Sequence, residues 1–144
     1  MDLSDIMGSL PYMEFLGIEV VEAEDGRGVV EVEMTDELSS NPGRHVAHGA
    51  VPYALADTAG GAAVVSLTHG PSPTVDMRID YLNPMTDDAR AEAEVVRMGR
   101  STAVVDATVS QGDVEVARAR GVYKAGTVES GSPHDFSAEE FAGD

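Results

Sequence analysis

The chain contains no cysteine and no tryptophan, and only one lysine, Lys124. The absence of cysteine excludes a thiol nucleophile, an iron–sulfur cluster, a cysteine-bound zinc ion and a fold stapled by disulfides. Basic residues are scarce as well: 9 lysines and arginines against 26 acidic residues give a net charge of −17. Because so negative a surface repels phosphate backbones, we exclude nucleic acid as a partner.

The acidic residues are spread along the whole chain rather than gathered in one segment. An acidic functional face and adaptation to a salt-rich cytoplasm would both give this charge. The even spread and the near-absence of lysine favour the second. We therefore expect a halophilic protein. Its hydrophobic content of 42% is normal for a folded domain, so the acidity does not indicate disorder.

No signal peptide or membrane span is predicted. Residues 1–5 lack the positive charge and apolar stretch of a signal peptide. Residues 51–67 form the most apolar window, but Asp57, Gly60 and Gly61 interrupt it and it is short for a span. We expect a cytoplasmic protein with no membrane partner.

The predicted elements follow the order helix, two strands, long helix, four strands. Apolar spacing predicts a first helix over 3–15, interrupted near Pro11, and Asp25-Gly26 between alternating runs predicts a hairpin. Small and apolar residues predict a second helix, from about 49 to 68, buried on nearly all sides. Alternating runs predict antiparallel strands with one covered face over 74–82, 89–98, 102–110 and 114–124.

These elements predict a single α+β domain over residues 1–126, in which a curled antiparallel sheet wraps the long helix. Residues 1–16 form its N-terminal helical segment. Residues 127–144 hold five acidic residues and no basic one, so we expect a flexible acidic tail.

Asp57 stands out because it lies inside the apolar helix. A buried carboxylate costs several kcal/mol unless it is paired, hydrogen-bonded or protonated. It is either a structural residue, bonded to nearby backbone or to Thr58, or a general base or nucleophile that faces a cleft. Gly60 and Gly61 favour the second interpretation, since small residues one turn further on would leave room for a ligand.

The start of the long helix is a second candidate site. Backbone N–H groups at a helix N-terminus lack partners, and Gly49 would let a substrate oxygen approach them closely. His45 and His48 lie three residues apart, but no third ligand of matching spacing is near, so we predict no metal site.

The spacing of these candidates predicts a dimer. His48 and Gly49 lie nine and eight residues before Asp57. Nine helical residues turn the chain half a turn past two full turns and advance it roughly 13 Å. One chain therefore cannot place both groups on a single substrate atom, and a two-fold partner would have to supply one of them.

Three segments together resemble the hotdog-fold acyl-CoA thioesterases, and most closely the phenylacetyl-CoA thioesterase type. They are His48-Gly49-Ala50, Leu55-Ala56-Asp57-Thr58-Ala59, and the strand and turn over 75–84. The resemblance spans roughly residues 17–126 and implies the hotdog fold, homodimers paired into tetramers, and no metal or other cofactor. It departs in Ala50, where a second glycine is common, and in a loop over 41–48 that is one residue longer.

The resemblance also implies roles for individual residues. Asp57 corresponds to the carboxylate that activates water or attacks the thioester carbon, and the Gly49 amide corresponds to the group that polarises the carbonyl. Asn41 and Thr74 correspond to residues that help to place the water or nucleophile, and His48 to one that contacts the thioester. The strand and turn that would hold CoA contain Arg97, Gly99, Arg100 and Ser101.

We therefore predict a hydrolase that cleaves an aromatic or medium-chain acyl-CoA to free acid and CoA. The small residues Gly60, Gly61, Ala62 and Ala63 suggest a roomy acyl tunnel. Two alternatives remain open from the sequence. One is a non-catalytic acyl-CoA-binding module, and the other is an enoyl-CoA hydratase of the same fold, for which His48 and Asp57 lack the expected spacing.

Overall fold

A computed structural model describes residues 3–126. Two short helices come first, α1 (Leu3–Gly8) and α2 (Pro11–Leu16), followed by strands β1 (Ile18–Glu24) and β2 (Arg27–Val32). The long helix α3 (Ala50–Thr68) precedes four more strands: β3 (Thr74–Tyr81), β4 (Ala89–Met98), β5 (Thr102–Gln111) and β6 (Val114–Lys124). The predicted order is confirmed, and the break between α1 and α2 falls just before Pro11. The predicted tail lies outside the described residues.

Within residues 3–126 the strands form one antiparallel sheet in the order β1-β2-β4-β5-β6-β3. The predicted hairpin is present, because Asp25 and Gly26 join β1 to β2 with φ angles of 51° and 79°. Positive φ at both central residues matches the twist of the flanking strands. The fold is therefore the hotdog arrangement, a curled sheet around one helix.

Helix α3 packs on the inner face of the sheet through small residues. Ala59, Ala62 and Ala63 are fully buried, and a Cβ on Gly28 of β2 would overlap the carbonyl oxygen of Ala59. By length and composition α3 could cross a membrane, but 67% of its apolar window is buried inside the fold. Its apolar character is that of a core helix.

Strand β3 differs from the prediction of a covered face. Met77 and Ile79 are half-buried, but Val75 and Tyr81 are 56% and 53% exposed. The reason is position, since β3 lies at the edge of the sheet, where it pairs only with β6 among the described strands, and a bulge shifts the register between Thr74 and Asp76. The other edge of the sheet is β1.

Candidate active site

Asp57 lies on the one stripe of α3 that the sheet leaves uncovered. Tyr53 is exposed and Asp57 and Gly61 are half-buried, at four-residue spacing, whereas Leu55 and Ala59 are fully buried. This stripe faces β3, because the Thr74 hydroxyl donates a hydrogen bond of 2.7 Å to Oδ1 of Asp57. Two residues predicted separately thus meet in the fold.

The carboxylate has a second partner that the sequence analysis missed. Tyr123 of β6, 1% exposed, places its hydroxyl 3.0 Å from Oδ1 of Asp57 and 3.0 Å from the Asp57 carbonyl oxygen. Burial, the Asp57 charge and this hydrogen bond raise the pKa of Tyr123 above its ordinary value. Among the β6 side chains that face the core, Tyr123 is the one that carries a hydroxyl group. A tyrosine at an inward position of this strand is the sequence feature from which its role could have been predicted.

Within residues 3–126, neither Thr58 nor nearby backbone, the alternative partners expected for Asp57, binds its carboxylate. Thr58 donates instead to the sulfur of Met13, 3.2 Å away, which ties α2 to the helix. Partial burial and the charges of Asp57 and Asp76 raise the pKa of Tyr53, so these side chains share one electrostatic environment.

Of the two glycines near Asp57, Gly60 does not open space for a ligand as predicted, whereas a Cβ on the half-buried Gly61 would meet nothing closer than 3.9 Å. A Cβ on Gly60 would overlap the hydroxyl oxygen of Tyr123, and one on Gly121 would lie 2.7 Å from the same ring. The space beside Gly60 and Gly121 is therefore filled by the Tyr123 side chain. Ala62 and Ala63 are likewise buried in the core and do not line an open tunnel.

At the start of α3 a single backbone donor remains. The Ala50 N–H donates to Nδ1 of His48 (2.9 Å), the Val51 N–H to the His48 carbonyl (2.9 Å), and Pro52 has no N–H. Within the described residues the Gly49 N–H has no hydrogen-bond partner. It is thus free to bind a substrate oxygen.

Hydrogen bonds on either side of this amide fix its neighbours. Since Nδ1 of His48 accepts from a backbone N–H, the proton of the neutral ring is on Nε2, and the exposed side chain can donate it. The Tyr81 hydroxyl donates to the Gly49 carbonyl at 2.7 Å. A cleft of about 280 Å³ opens beside them, lined by Gly49, Pro52 and Tyr81.

Asn41 is not brought to this group. It lies on an exposed loop, beside a pocket of about 600 Å³ that it shares with Arg44 and His45. Its side chain has no hydrogen bond to Asp57, Gly49 or His48 in the part of the chain that the structure describes. His45 contacts Asp36 at 2.9 Å, and residues 3–126 contain no group of three metal-ligating side chains.

The predicted CoA segment forms the turn between β4 and β5. Among the described residues, five arginines hold acidic partners, namely Arg27, Arg78, Arg90, Arg118 and Arg120. Within residues 3–126, Arg97 and Arg100 have no such partner, and neither has Lys124, which lies opposite Thr102 at the end of β6. The register puts Arg97 and Lys124 on the outer face of the sheet, so unneutralised cations gather at this turn.

Comparison with known proteins places these features in a family context. The family described as the thioesterase superfamily matches residues 45–118. A Halobacterium salinarum protein named "putative esterase" is 35% identical over 102 residues, which cover 67% of this chain and 68% of that protein.

Solved structures share the fold. A mutant of the phenylacetic acid degradation protein PaaI from Thermus thermophilus is 33% identical, with a TM-score of 0.71 over 80% of this chain and 98% of that one. A "hypothetical thioesterase protein with coenzyme A" from Streptococcus pneumoniae is 27% identical, with a TM-score of 0.67 over 74% and 84%.

Proposed function

Because the chain belongs to the thioesterase superfamily, we propose that it is a cytoplasmic hydrolase that cleaves acyl-CoA to free acid and CoA. The observation that carries the proposal is the Asp57 carboxylate, which lies on the uncovered stripe of α3 with Oδ1 held by Thr74 and Tyr123. The related structure with coenzyme A supports CoA as the leaving group.

The groups at the site match the needs of thioester hydrolysis. The Gly49 N–H, with the Nε2–H of His48 beside it, would stabilise the negative charge that develops on the carbonyl oxygen. Asp57 would take a proton from water, whose oxygen attacks the carbonyl carbon. The C–S bond then breaks, and the CoA sulfur leaves with that proton. Direct attack by Asp57, followed by hydrolysis of the anhydride, uses the same groups.

We propose that each site is shared between two chains. Gly49 and Asp57 are separated by about 12 Å of helix. The stripe of α3, strand β3 and the residue after it present apolar side chains to solvent, namely Tyr53, Val75, Tyr81 and Leu82. Pairing of two β3 strands about a two-fold axis would cover these side chains and set Gly49 of one chain against Asp57 of its partner. Pairing of such dimers gives the expected tetramer.

The cations at the β4–β5 turn would bind the CoA phosphates. Arg97, Arg100 and Lys124 lack acidic partners in a chain with a net charge of −17, so phosphate would not have to displace a carboxylate. For the acyl group we propose an aromatic or medium-length chain, which the resemblance to the phenylacetic acid degradation protein supports.

The function is tested with a panel of acyl-CoA esters, measuring release of free thiol by wild type and Asp57→Asn. The amide variant should fold but lose most turnover, since it can act neither as base nor as nucleophile. Tight acyl-CoA binding without thiol release would show the binding module instead. A hydration product without thiol would show the hydratase.

Mixed dimers test the shared site. Gly49→Val would block the amide, and Asp57→Asn removes the carboxylate, so each variant alone should be inactive. Random pairing on co-expression makes about half the dimers mixed, with one intact site in each, and should restore about a quarter of wild-type activity. Inactive mixed dimers, shown to be present by differential tags, would contradict a site shared between chains.

The phosphate contacts are tested by Arg100→Ala and Lys124→Ala, with Arg97→Ala expected to have a weaker effect. Loss of a contact far from the thioester should raise KM severalfold and leave kcat similar. Arg118→Ala is the matched control, because its guanidinium is exposed and held by Glu115. Equal KM values in all four variants would refute the assignment of this turn.

A further inference from the structure

Tyr123 is fixed in place from several sides. Its ring is fully buried, Gly60 and Gly121 leave room for it where any Cβ would collide, and its hydroxyl lies at the uncovered stripe of α3. The hydroxyl has one proton, which it shares between the Asp57 carbonyl and Oδ1 of the Asp57 carboxylate, each 3.0 Å away. Because the carboxylate is charged, the hydrogen bond to Oδ1 is the stronger of the two.

Both hydroxyls at the site bind the same carboxylate oxygen. Thr74 approaches Oδ1 from β3 at 2.7 Å and Tyr123 from β6 at 3.0 Å, while Oδ2 accepts no hydrogen bond within residues 3–126. The two donors come from neighbouring strands of the sheet and the carboxylate from the helix. This arrangement fixes the plane of the carboxylate and leaves its second oxygen available.

We infer that Tyr123 is a positioning residue for the hydrolysis: together with Thr74 it holds Oδ1 of Asp57, so that Oδ2 is the oxygen that acts on water or on the thioester. This inference rests on the proposed function. Tyr123 itself touches neither substrate nor water in this assignment.

The chemistry of the hydroxyl suits a permanent donor. Burial beside Asp57 raises the pKa of Tyr123, so the hydroxyl keeps its proton throughout the range in which a thioesterase is assayed. Two other titratable groups lie near Asp57 and Tyr123. They are Tyr53, on α3 with Asp57, and Asp76 of β3, whose charge acts on Tyr53 as that of Asp57 does. Neither donates a hydrogen bond to the carboxylate.

Kinetics provide the first test, with Tyr123→Phe as the variant and Tyr12→Phe as the control. Tyr12 is 54% exposed on α2, so its hydroxyl should be dispensable. Loss of a hydrogen bond to a charged group should lower kcat of Tyr123→Phe by about 10- to 100-fold, with KM nearly unchanged. The acid limb of its pH–rate profile should move to higher pH, because a carboxylate that loses a donor is protonated more readily.

A second test does not need activity. In protein with ¹³C-labelled carboxyl groups, the signal that is missing from Asp57→Asn identifies Asp57, and its titration can be followed by NMR. In Tyr123→Phe its midpoint should move to higher pH, whereas in Tyr12→Phe it should not. In the wild type the Tyr123 Cζ signal should titrate with the Asp57 midpoint. This comparison does not use Tyr123→Phe, so it stands even if that variant does not fold.

The outcomes separate the two proposals. A wild type without thioesterase activity, but with linked Asp57 and Tyr123 titrations, would refute the proposed function and leave the hydrogen-bond assignment standing. Active wild type with an unlinked Tyr123 signal, or an Asp57 midpoint and acid limb that Tyr123→Phe leaves unchanged, would reduce Tyr123 to a packing residue and overturn the inference.

Discussion

Three of the four tyrosines of the chain surround the candidate site. Tyr81 binds the Gly49 carbonyl, Tyr123 binds Asp57, and Tyr53 lies one helical turn from Asp57. Tyrosine suits this use because its ring packs like an apolar side chain while its hydroxyl donates one directed hydrogen bond. Two of these tyrosines, Tyr81 and Tyr123, therefore orient polar groups of the candidate site.

Tyr123 should make the fold sensitive to alkali. Its pKa is raised in the folded chain, whereas in the unfolded chain the hydroxyl ionises near pH 10, so above that pH the folded state binds more protons. The stability that the neutral hydroxyl contributes is complete below about pH 10 and declines above it, by about 1.4 kcal/mol per pH unit.

Urea unfolding of the wild type and Tyr123→Phe between pH 8 and about pH 11 measures this slope. The phenylalanine variant should lose the Tyr123 share of it, while Tyr12→Phe should keep it. Parallel curves for wild type and Tyr123→Phe would contradict the prediction.

Some residues of the candidate site could be predicted from the sequence and others could not. Asp57 and Gly49 could be named because they fall in short motifs, and Thr74 because it corresponds to a residue of the family. The structure brings Asp57 and Thr74 together. Tyr123 could not be named, since it lies 66 residues from Asp57 in sequence and meets it only through the register of β6. The sequence also could not show that Gly60 makes room for Tyr123. A glycine that makes room for a ligand and one that makes room for a side chain are indistinguishable in sequence.

Among the elements, β2 and α3 are in close backbone contact. A Cβ on Gly28 would overlap the Ala59 carbonyl oxygen and lie 2.8 Å from the Ala63 nitrogen. The hairpin is tied to the helix nearby, since the buried Ser66 hydroxyl accepts from the Gly26 N–H at 2.9 Å and donates to the Ala63 carbonyl. Backbone cannot yield as a flexible side chain can.

Gly28→Ala should therefore destabilise the fold by about 1–3 kcal/mol or more, although alanine is the better residue for a strand interior by intrinsic preference. Gly8→Ala is the matched control, because nothing lies within 4 Å of the Cβ it would add. Chemical denaturation measures both, and a Gly28→Ala midpoint equal to that of the wild type would show that β2 can shift away from α3.

Element order and strand type followed from periodicity, because alternation and helical spacing are local properties. The exposure of β3 could not be predicted from periodicity, because whether a strand has one neighbour or two depends on the strand order of the sheet. The alternation of Val75, Met77 and Ile79 looks the same in both cases.

For the whole molecule, charge is the dominant property. With a net charge of −17, the chain repels itself and repels an anionic CoA ester at distances beyond direct contact. The ion pairs of Arg27 and Arg90 with several glutamates of β1, β2 and β4 offset only part of this repulsion. The halophilic interpretation therefore expects counter-ions to screen the remaining repulsion.

Salt should therefore raise stability and lower KM for acyl-CoA between dilute buffer and molar KCl, since the Debye length falls to about 3 Å at 1 M. A neutral N-acetylcysteamine thioester of the same acyl group is the control substrate, because it lacks the CoA phosphates and its KM should change less. A protein equally stable, and with equal KM for acyl-CoA, at both salt concentrations would contradict the halophilic interpretation.

The two edges of the sheet are not alike, and the difference limits growth. Edge β1 carries Glu19, Glu22 and Glu24 and a bulge after Val20, features that oppose the addition of another strand. Edge β3 also has a bulge, but it carries charges of both signs, on Asp76, Arg78 and Asp80, and it exposes Val75 and Tyr81. Two chains that join through β3 would leave only the acidic β1 edges free, so the sheet would stop growing at a pair of chains, and such pairs would associate further only through other surfaces.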